Sequence, residues 1–284
     1  MVTPAPKERF ALVRRSIADY CKQSYPNREL IVVLDQPTLE DLARLRSHVA
    51  DLGRSDIRLA EVAEKRALGV LRNICVDRAK GPLLCQWDDD DLHHETRLEY
   101  QVAEILARHA GAVYLKNTLH LFRETREVYW LDWGNTRLRG HPATLLSWKT
   151  QEIRYAEVGD RSKRGEDADV LRQLCEKTPV AFPDNPPYLY TYVFHGGNTW
   201  HRDHHRSLAV RASVGRTALE ERREELVRAI TKADLGIDFL QVLDEQGLVC
   251  PQPPVPEAQN AARDTPTTSS ADAVARIERR HPPR

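Results

Sequence analysis

Five consecutive apolar residues, Leu30–Leu34, limit the possible folds of this chain more than any other segment. A strand that is apolar on both faces is buried on both faces, as in a parallel sheet covered by helices. Further strand-like segments lie at 57–62, 83–87 and 112–115, with apolar residues at helical spacing between them. This alternation predicts an α/β fold with a mostly parallel central sheet and helices on both faces.

The rest of the chain is less regular. Apolar spacing predicts helices at 10–23, 38–53, 69–80, 98–106 and 166–175. A hairpin is expected around 123–126, and strands are expected at 144–148 and 188–194. A capping box at Thr217 predicts a charged helix that runs to about Lys232.

The composition excludes several classes of protein. The 284 residues include 42 Lys and Arg and 42 Asp and Glu, so the formal net charge is zero, whereas nucleic-acid binding through bulk charge needs a basic excess. No apolar run approaches the roughly 20 residues of a membrane span, and no signal peptide precedes the first helix. The five cysteines form no CxxC pair and are expected to be free thiols. We therefore expect a cytoplasmic protein that binds no nucleic acid and associates with membranes at most peripherally.

Four consecutive aspartates, Asp88–Asp91, directly follow the predicted strand at 83–87. Asp35 likewise follows Leu34, and ligands bind at the carboxyl ends of parallel strands. One explanation of the cluster is a solvated acidic turn, since Asp is favoured near helix N-termini. The other is a site for Mg²⁺ or Mn²⁺, which prefer oxygen ligands and link carboxylates to a diphosphate. The position at a strand end favours the metal site.

Histidines are concentrated in two places, at His93-His94 and between His195 and His205. A zinc site is one alternative, because imidazole is a good zinc ligand. We expect instead that His195, which ends a predicted strand, joins the ligands of Mg²⁺ or Mn²⁺. The other histidines are expected in solvated loops.

Five segments resemble, in order and spacing, the motifs of family 2 glycosyltransferases, which have the GT-A fold. They are Tyr25-Pro26-Asn27-Arg28-Glu29, Gly69-Val70-Leu71-Arg72-Asn73, the strand with its acidic loop at 83–92, Gly165-Glu166-Asp167 and the segment Tyr192–Asn198. Each motif is weak alone, but together they cover about residues 1–205 and are specific.

The resemblance implies roles for individual residues. Residues that bind the nucleotide sugar would be Thr3, Pro4, Asp35, Arg72, Asp88, Asp89 and Asn198. The metal ligands would be Asp90, Asp88 and His195, of which Asp90 is the principal one. Asp167 would be the general base, and Glu166 would bind the acceptor or support the base.

These roles match an inverting transfer, which is a single in-line displacement at the anomeric carbon. One carboxylate must take the proton of the attacking hydroxyl, and a metal ion must neutralise the leaving nucleoside diphosphate. The resemblance thus implies a metal-dependent hexosyltransferase that uses a nucleotide sugar, most commonly a UDP-sugar, and a glycan or other hydroxyl acceptor. The alternatives are a nucleotidyltransferase and a catalytically inert protein that binds nucleotide sugars. A third is an interaction domain.

Three regions are expected along the chain. Residues 1–118 would form the half that binds the nucleotide sugar, and 119–250 the acceptor and catalytic half of the same domain. Residues 251–284, rich in Pro, Thr and Ser, are expected to be disordered. Leu34-Asp35-Gln36 departs from the family's usual two aspartates, so the base pocket is expected to differ. Only Met1 and Val2 represent the first strand, and we expect the true start to lie upstream.

Overall fold

The computed structural model describes residues 1–4, 7–150, 154–236, 241–244 and 249–250. The predicted tail, 251–284, lies outside the described residues. The helices are α1 Phe10–Lys22, α2 Leu39–Asp51, α3 Leu68–Arg78, α4 Arg97–Ala107, α5 Glu166–Lys177, α6 Arg202–Ala212, α7 Arg216–Glu221 and α8 Arg223–Ala233. The strands are β1 Val2–Thr3, β2 Leu30–Asp35, β3 Ile57–Val62, β4 Leu83–Cys85, β5 Leu92–His93, β6 Ala112–Val113, β7 Asn117–Phe122, β8 Glu127–Asp132, β9 Leu146–Trp148, β10 Val180–Ala181, β11 Tyr190–Phe194, β12 Gln241–Leu243 and β13 Val249–Cys250.

The apolar run Leu30–Leu34 lies in β2, the central strand of a parallel three-stranded sheet with the order β1-β2-β3. Every residue of β2 is buried, as its composition predicts. The two residues of β1 pair with Val33 and Leu34, and the amino group of Met1 donates a hydrogen bond to the carbonyl of Ile31. Asp35 therefore stands at the carboxyl end of a central strand.

Two further sheets complete the fold. The second has the order β10-β6-β9-β4, and β9 runs antiparallel between β6 and β4. The third has the order β13-β12-β8-β7-β11-β5, in which β7 and β8 form the predicted hairpin. The acidic residues Asp88–Asp91 join β4 of the second sheet to β5 of the third. The loop that carries the candidate site is therefore anchored in two sheets.

Separate apolar clusters cover the sheets. Helix α1 packs Val13, Ile17 and Tyr20 onto Leu30 and neighbouring side chains of β2. A second cluster joins the third sheet to helices α7 and α8 through Leu219, Leu226 and their neighbours. Together these clusters belong to one compact unit, Met1–Gln252, and the proposed halves at 1–118 and 119–250 remain a prediction.

The structure corrects the prediction for the last helices. Residues 216–233 form two helices that meet at Arg222, and the first is preceded by Gly215, so Thr217 lies inside the helix and does not cap it. Helix α6 spans residues expected in solvated loops, and its histidine His205 is buried. Its Arg- and His-rich sequence has only a narrow apolar face, formed by residues such as Ala209 and Ala212. Among the described residues, no helix is long and apolar enough to cross a membrane.

Candidate active site

A cleft of about 930 Å³ opens where the predicted motifs meet. Its walls are formed by the end of β2, the acidic loop after β4, the start of α5 and the segment that follows β11. The predicted site residues on these walls are Pro4, Asp35, Arg72, Asp88, Asp89, Asp90, Glu166, Asp167 and Asn198. The fold thus gathers residues from most of the chain around one cavity.

The four aspartates have different surroundings. Asp88 and Asp90 are partly exposed toward the cleft, whereas Asp89 and Asp91 are buried. Asp91 accepts hydrogen bonds from the Tyr190 hydroxyl and from the backbone amide of Val193, 2.9 Å away. Burial and the neighbouring carboxylates raise the pKa of Asp91 well above its ordinary value. Asp91 therefore ties the acidic loop to β11 and has a structural role.

Arg72 connects the two acidic motifs. Its Nη1 donates to Asp88 Oδ1 at 3.1 Å, and its Nε donates to Glu166 Oε1 at 3.0 Å. The guanidinium also lies over the ring of Tyr155, 5.6 Å from its centre. Only 12% of the Arg72 side chain and 4% of the Glu166 side chain are exposed, so this is a buried pair. Glu166 is therefore placed to hold Arg72.

Asp167 lies in the first turn of α5, and this helix begins directly after a glycine in the left-handed conformation. Gly165 has φ +72°, which a residue with a side chain adopts only with strain, and the chain can then turn into α5. The Asp167 carboxylate accepts a hydrogen bond from the backbone amide of Ala168 at 2.7 Å. Burial, together with the nearby charge of Glu166, raises the pKa of Asp167 to about 6. A carboxylate with such a pKa is suited to accept a proton near neutral pH.

An ion pair that the sequence analysis missed lies beside the predicted metal ligands. Arg9 Nη2 is 2.8 Å from Asp89 Oδ1 and 3.0 Å from Asp90 Oδ2. Asp89, whose side chain is only 6% exposed, also interacts with the side chain of Thr3. Thr3 is fully buried beneath this pair, whereas Pro4 is exposed. Asp89 is therefore a partner of Arg9 and Thr3.

His195, which follows β11, contacts Asp90 as well. Its Nε2 is 3.1 Å from Asp90 Oδ2, and its backbone amide donates to Asn198 Oδ1 at 2.9 Å. Although burial raises the pKa of Asp90, the bond to His195 and the charge of Arg9 lower it below its ordinary value. Asn198 in turn donates to the Tyr192 hydroxyl and to the carbonyl of Val193. These contacts hold His195 against Asp90.

Asp90 Oδ2 and His195 Nε2 have the spacing of two ligand atoms of a divalent cation. Neighbouring ligands of an octahedral Mg²⁺ lie about 2.9 Å apart, close to the 3.1 Å between Asp90 Oδ2 and His195 Nε2. Mg²⁺ commonly takes only one or two protein ligands, with phosphates and water as the others. Among the described residues, no three His, Cys, Asp or Glu side chains are arranged to hold a metal ion. A cation at Asp90 would compete with Arg9 for Oδ2.

Asp35, at the carboxyl end of β2, also lines the cleft. Its Oδ2 forms an ion pair with Lys65, while its buried Oδ1 has no hydrogen-bond partner. A buried carboxylate oxygen without a donor is destabilising unless a ligand supplies one. Asp35 can therefore accept a hydrogen bond from a ligand with an N–H group.

The acidic loop, the buried arginine and the separate carboxylate therefore lie around one cleft of an α/β fold, as the five sequence motifs predict. The family model described as glycosyl transferase family 2 matches residues 1–155 of the chain. The chain therefore belongs to the family 2 glycosyltransferases, as the five motifs predict. Comparison with curated protein sequences gave no match.

Solved structures of glycosyltransferases share the fold. The S. aureus TarS fragment 1–349 in complex with UDP has a TM-score of 0.53 and 15% identity, covering 82% of this chain and 78% of the TarS chain. The complex of the same fragment with UDP-GlcNAc has a TM-score of 0.53 and 17% identity, covering 82% and 66% of the two chains. The fold is thus the GT-A fold, and the predicted fold class is confirmed.

Proposed function

We propose that the chain is an inverting glycosyltransferase that moves a sugar from a UDP-sugar to a hydroxyl acceptor such as a glycan. The observation that supports this most directly is the arrangement around Arg72. Its guanidinium binds Asp88 of the acidic loop and Glu166, the neighbour of Asp167. The groups for donor binding and proton transfer are thereby fixed beside each other in one cleft.

The donor would lie along the acidic side of the cleft. The free Oδ1 of Asp35 suits the ring N–H of uracil, which supports a uridine nucleotide. TarS forms complexes with UDP and UDP-GlcNAc, which makes UDP-sugars the first donors to test. The diphosphate would then lie near Asp88 and Asp90, with Asn198 and His195 beside it.

Asp90 and His195 would hold Mg²⁺ or Mn²⁺, with Asp88 nearby. When bound, the cation would supply positive charge to the diphosphate as it leaves. Arg72 cannot substitute fully for such a cation, because both Asp88 and Glu166 already neutralise its charge. Metal dependence is therefore part of the proposal.

The chemistry would be a single displacement. The acceptor oxygen forms a bond to the anomeric carbon while the bond from that carbon to the diphosphate oxygen breaks, which inverts the configuration. The proton of the acceptor hydroxyl passes to the carboxylate of Asp167. Glu166 positions Arg72, and the backbone amide of Ala168 orients Asp167.

Calorimetric titration of UDP with and without Mn²⁺ tests the proposal. Wild-type protein should bind UDP more tightly with Mn²⁺, because the cation links Asp90 to the diphosphate. Asp90→Ala should lose this Mn²⁺-dependent gain. Asp77→Ala is the matched control: Asp77 lies on α3 and pairs with Arg154 at the surface, so its substitution should leave the gain unchanged. Binding of UDP by the wild-type protein that is equal with and without Mn²⁺ would contradict the metal site.

The pH dependence of the reaction provides a second prediction. Asp167 accepts a proton only when ionised, and its pKa is about 6, so kcat/KM should fall about tenfold for each pH unit below 6. Burial also raises the pKa of Asp89 to about 6. Asp89→Asn is therefore the control, and it should keep the acidic limb. If kcat/KM of Asp89→Asn no longer falls below pH 6, the pH dependence belongs to the acidic loop, which contradicts Asp167 as the base.

A further inference from the structure

Several histidines that the sequence analysis placed in loops, or did not single out, line the same cleft. His120 comes from β7, His141 follows the β7–β8 hairpin, and His204 and His205 come from α6. The ring of Tyr192 from β11 lies among them, with centroids 4.6 Å from His120 and 4.9 Å from His205. Strands and a helix that are distant in sequence thus form a wall of imidazole and phenol rings.

Two of these histidines have unused hydrogen-bonding groups. His120 is 1% exposed, and neither of its ring nitrogens has a hydrogen-bond partner. His205 is 4% exposed, and its Nδ1 also lacks a partner. A buried polar group without a partner destabilises a fold, so such groups generally require an explanation. Their place on the cleft wall suggests that a ligand satisfies them.

These rings are neutral near pH 7. Burial, with the neighbouring histidines, lowers the pKa of His120 well below its ordinary value, and burial lowers the pKa of His205 to about 4. A neutral imidazole offers one N–H donor and one acceptor nitrogen. That combination matches a hydroxyl group, which also donates and accepts. An ionised phosphate only accepts hydrogen bonds, so it would leave the acceptor nitrogen of the imidazole unpaired.

Aromatic faces surround the unused nitrogens. His120 stacks on Phe122 with ring centres 5.1 Å apart, and His204 stacks on Trp200 at 4.5 Å. Trp200 is 38% exposed and also lines the cleft. Ligand pockets typically combine such apolar faces with a few well-placed polar groups. A sugar ring has the complementary surface, with C–H groups on its faces and hydroxyls at its edge.

The histidine wall is connected to the proposed diphosphate site. The Tyr192 hydroxyl lies 3.2 Å from His205 Nε2 and accepts a hydrogen bond from Asn198 at 3.0 Å. Asn198 binds the backbone of His195, whose ring contacts Asp90. If the diphosphate lies at Asp90, both the sugar attached to it and an acceptor sugar that attacks this donor would lie near the histidine wall.

We propose that His120 and His205, with the neighbouring aromatic rings, form a subsite that recognises the hydroxyl groups of a sugar ring. The inference rests on the proposed function and extends it by naming residues that select the sugar. The ring is either the transferred sugar of the donor or a sugar of the acceptor, since both present the same hydroxyl chemistry. The test distinguishes the two sources.

The decisive variant is His120→Phe, which keeps the stacking on Phe122 and removes both ring nitrogens. Because it removes unsatisfied groups, the ligand-free variant should have a Tm equal to or higher than that of the wild type. His120→Asn keeps N–H donors and an acceptor oxygen at this position and should restore part of the lost affinity. His48→Phe is the matched control, since His48 also has an unpaired Nε2 and lies on α2, away from the cleft walls.

Calorimetry then compares three ligands, each in the presence of Mn²⁺. The first is UDP alone. The second is the sugar nucleotide that wild-type protein binds most tightly among UDP-GlcNAc, UDP-glucose, UDP-galactose and GDP-mannose. The third is the best-bound monosaccharide among glucose, galactose, mannose and N-acetylglucosamine, added at saturating UDP. We expect His120→Phe to leave UDP binding within twofold and to weaken one of the other two ligands about tenfold, as for loss of a hydrogen bond.

The outcomes separate the possibilities. Loss with the sugar nucleotide assigns the subsite to the donor, and loss with the monosaccharide assigns it to the acceptor. Unchanged binding of both, a lower Tm of His120→Phe, or an equal loss of affinity for UDP itself would overturn the subsite. A wild-type protein that binds no nucleotide would instead overturn the proposed function, and the subsite with it.

Discussion

Asp167→Asn is expected to slow sugar transfer by about 10²- to 10⁴-fold, the usual contribution of a general base. Asparagine has nearly the same shape and can still accept the hydrogen bond from Ala168, but it cannot take the proton of the attacking hydroxyl. Binding of UDP should remain within about twofold, because the substitution leaves in place Asp88, Asp90 and Arg72, the residues proposed to bind the nucleotide. The measurement is nucleotide release from the sugar nucleotide, with water as the acceptor.

Asp169→Asn provides the control for this prediction. Asp169 lies two residues further along α5, where it forms ion pairs with Arg161 and Arg172. Its substitution changes the charge of the helix N-terminus in the same way and leaves the proposed base in place. An Asp167→Asn protein that retains more than a tenth of the wild-type rate would remove Asp167 as the base.

Arg72→Met is expected to lower the free energy of unfolding by about 3–5 kcal/mol, the usual effect of removing one partner from a buried ion pair. Methionine can replace the stem of the side chain, but Asp88 and Glu166 would lose a cation that both of them contact. With 4% of its side chain exposed, Glu166 has little access to water as a substitute. Urea unfolding followed by fluorescence measures the change.

The triple variant Arg72→Met, Asp88→Asn, Glu166→Gln should recover most of the lost stability, because it removes the unpaired charges together with the arginine. Arg172→Met is the control, since half of the Arg172 side chain is exposed and its partner Asp169 also pairs with Arg161, so the free energy of unfolding should change far less. A stability of Arg72→Met equal to that of Arg172→Met would mean that water or another group already compensates the two carboxylates.

Much of the fold was accessible from the sequence because local patterns decide it. The buried strand β2 and the amphipathic helices α1 and α2 begin and end within two residues of the bounds that apolar spacing predicts, and Thr38 caps α2 as expected. The division of residues 216–233 at Arg222 was not accessible, because both helices have similar charged sequences. There the packing of Leu219 and Leu226 on the third sheet decides the geometry.

The residues of the candidate site likewise fall into two groups, those that the sequence indicated and those that it did not. Short motifs indicated Asp88, Asp90 and Asp167, because each is adjacent in sequence to other residues of its motif. The pairing of Arg9 with Asp89 and Asp90 spans about 80 residues, and no local pattern announces it. His120 lies in β7, in which every residue is buried, although its alternation of apolar and polar residues would put the histidine on a solvent-facing side. Only the three-dimensional surroundings show that its ring nitrogens have no partner.

The bonds from Asp91 to β11 have a consequence for the order in which the cleft can assemble. They join residues about 100 positions apart, since the Tyr190 hydroxyl and the Val193 amide hold the end of the acidic loop. Contacts of such long range form slowly, because the entropy of loop closure must be lost before the contacts are made. The segment 1–155, which the family model matches, therefore contains all four aspartates without the strand that holds the end of their loop. A nascent chain would acquire its donor site only after β11 has emerged and docked.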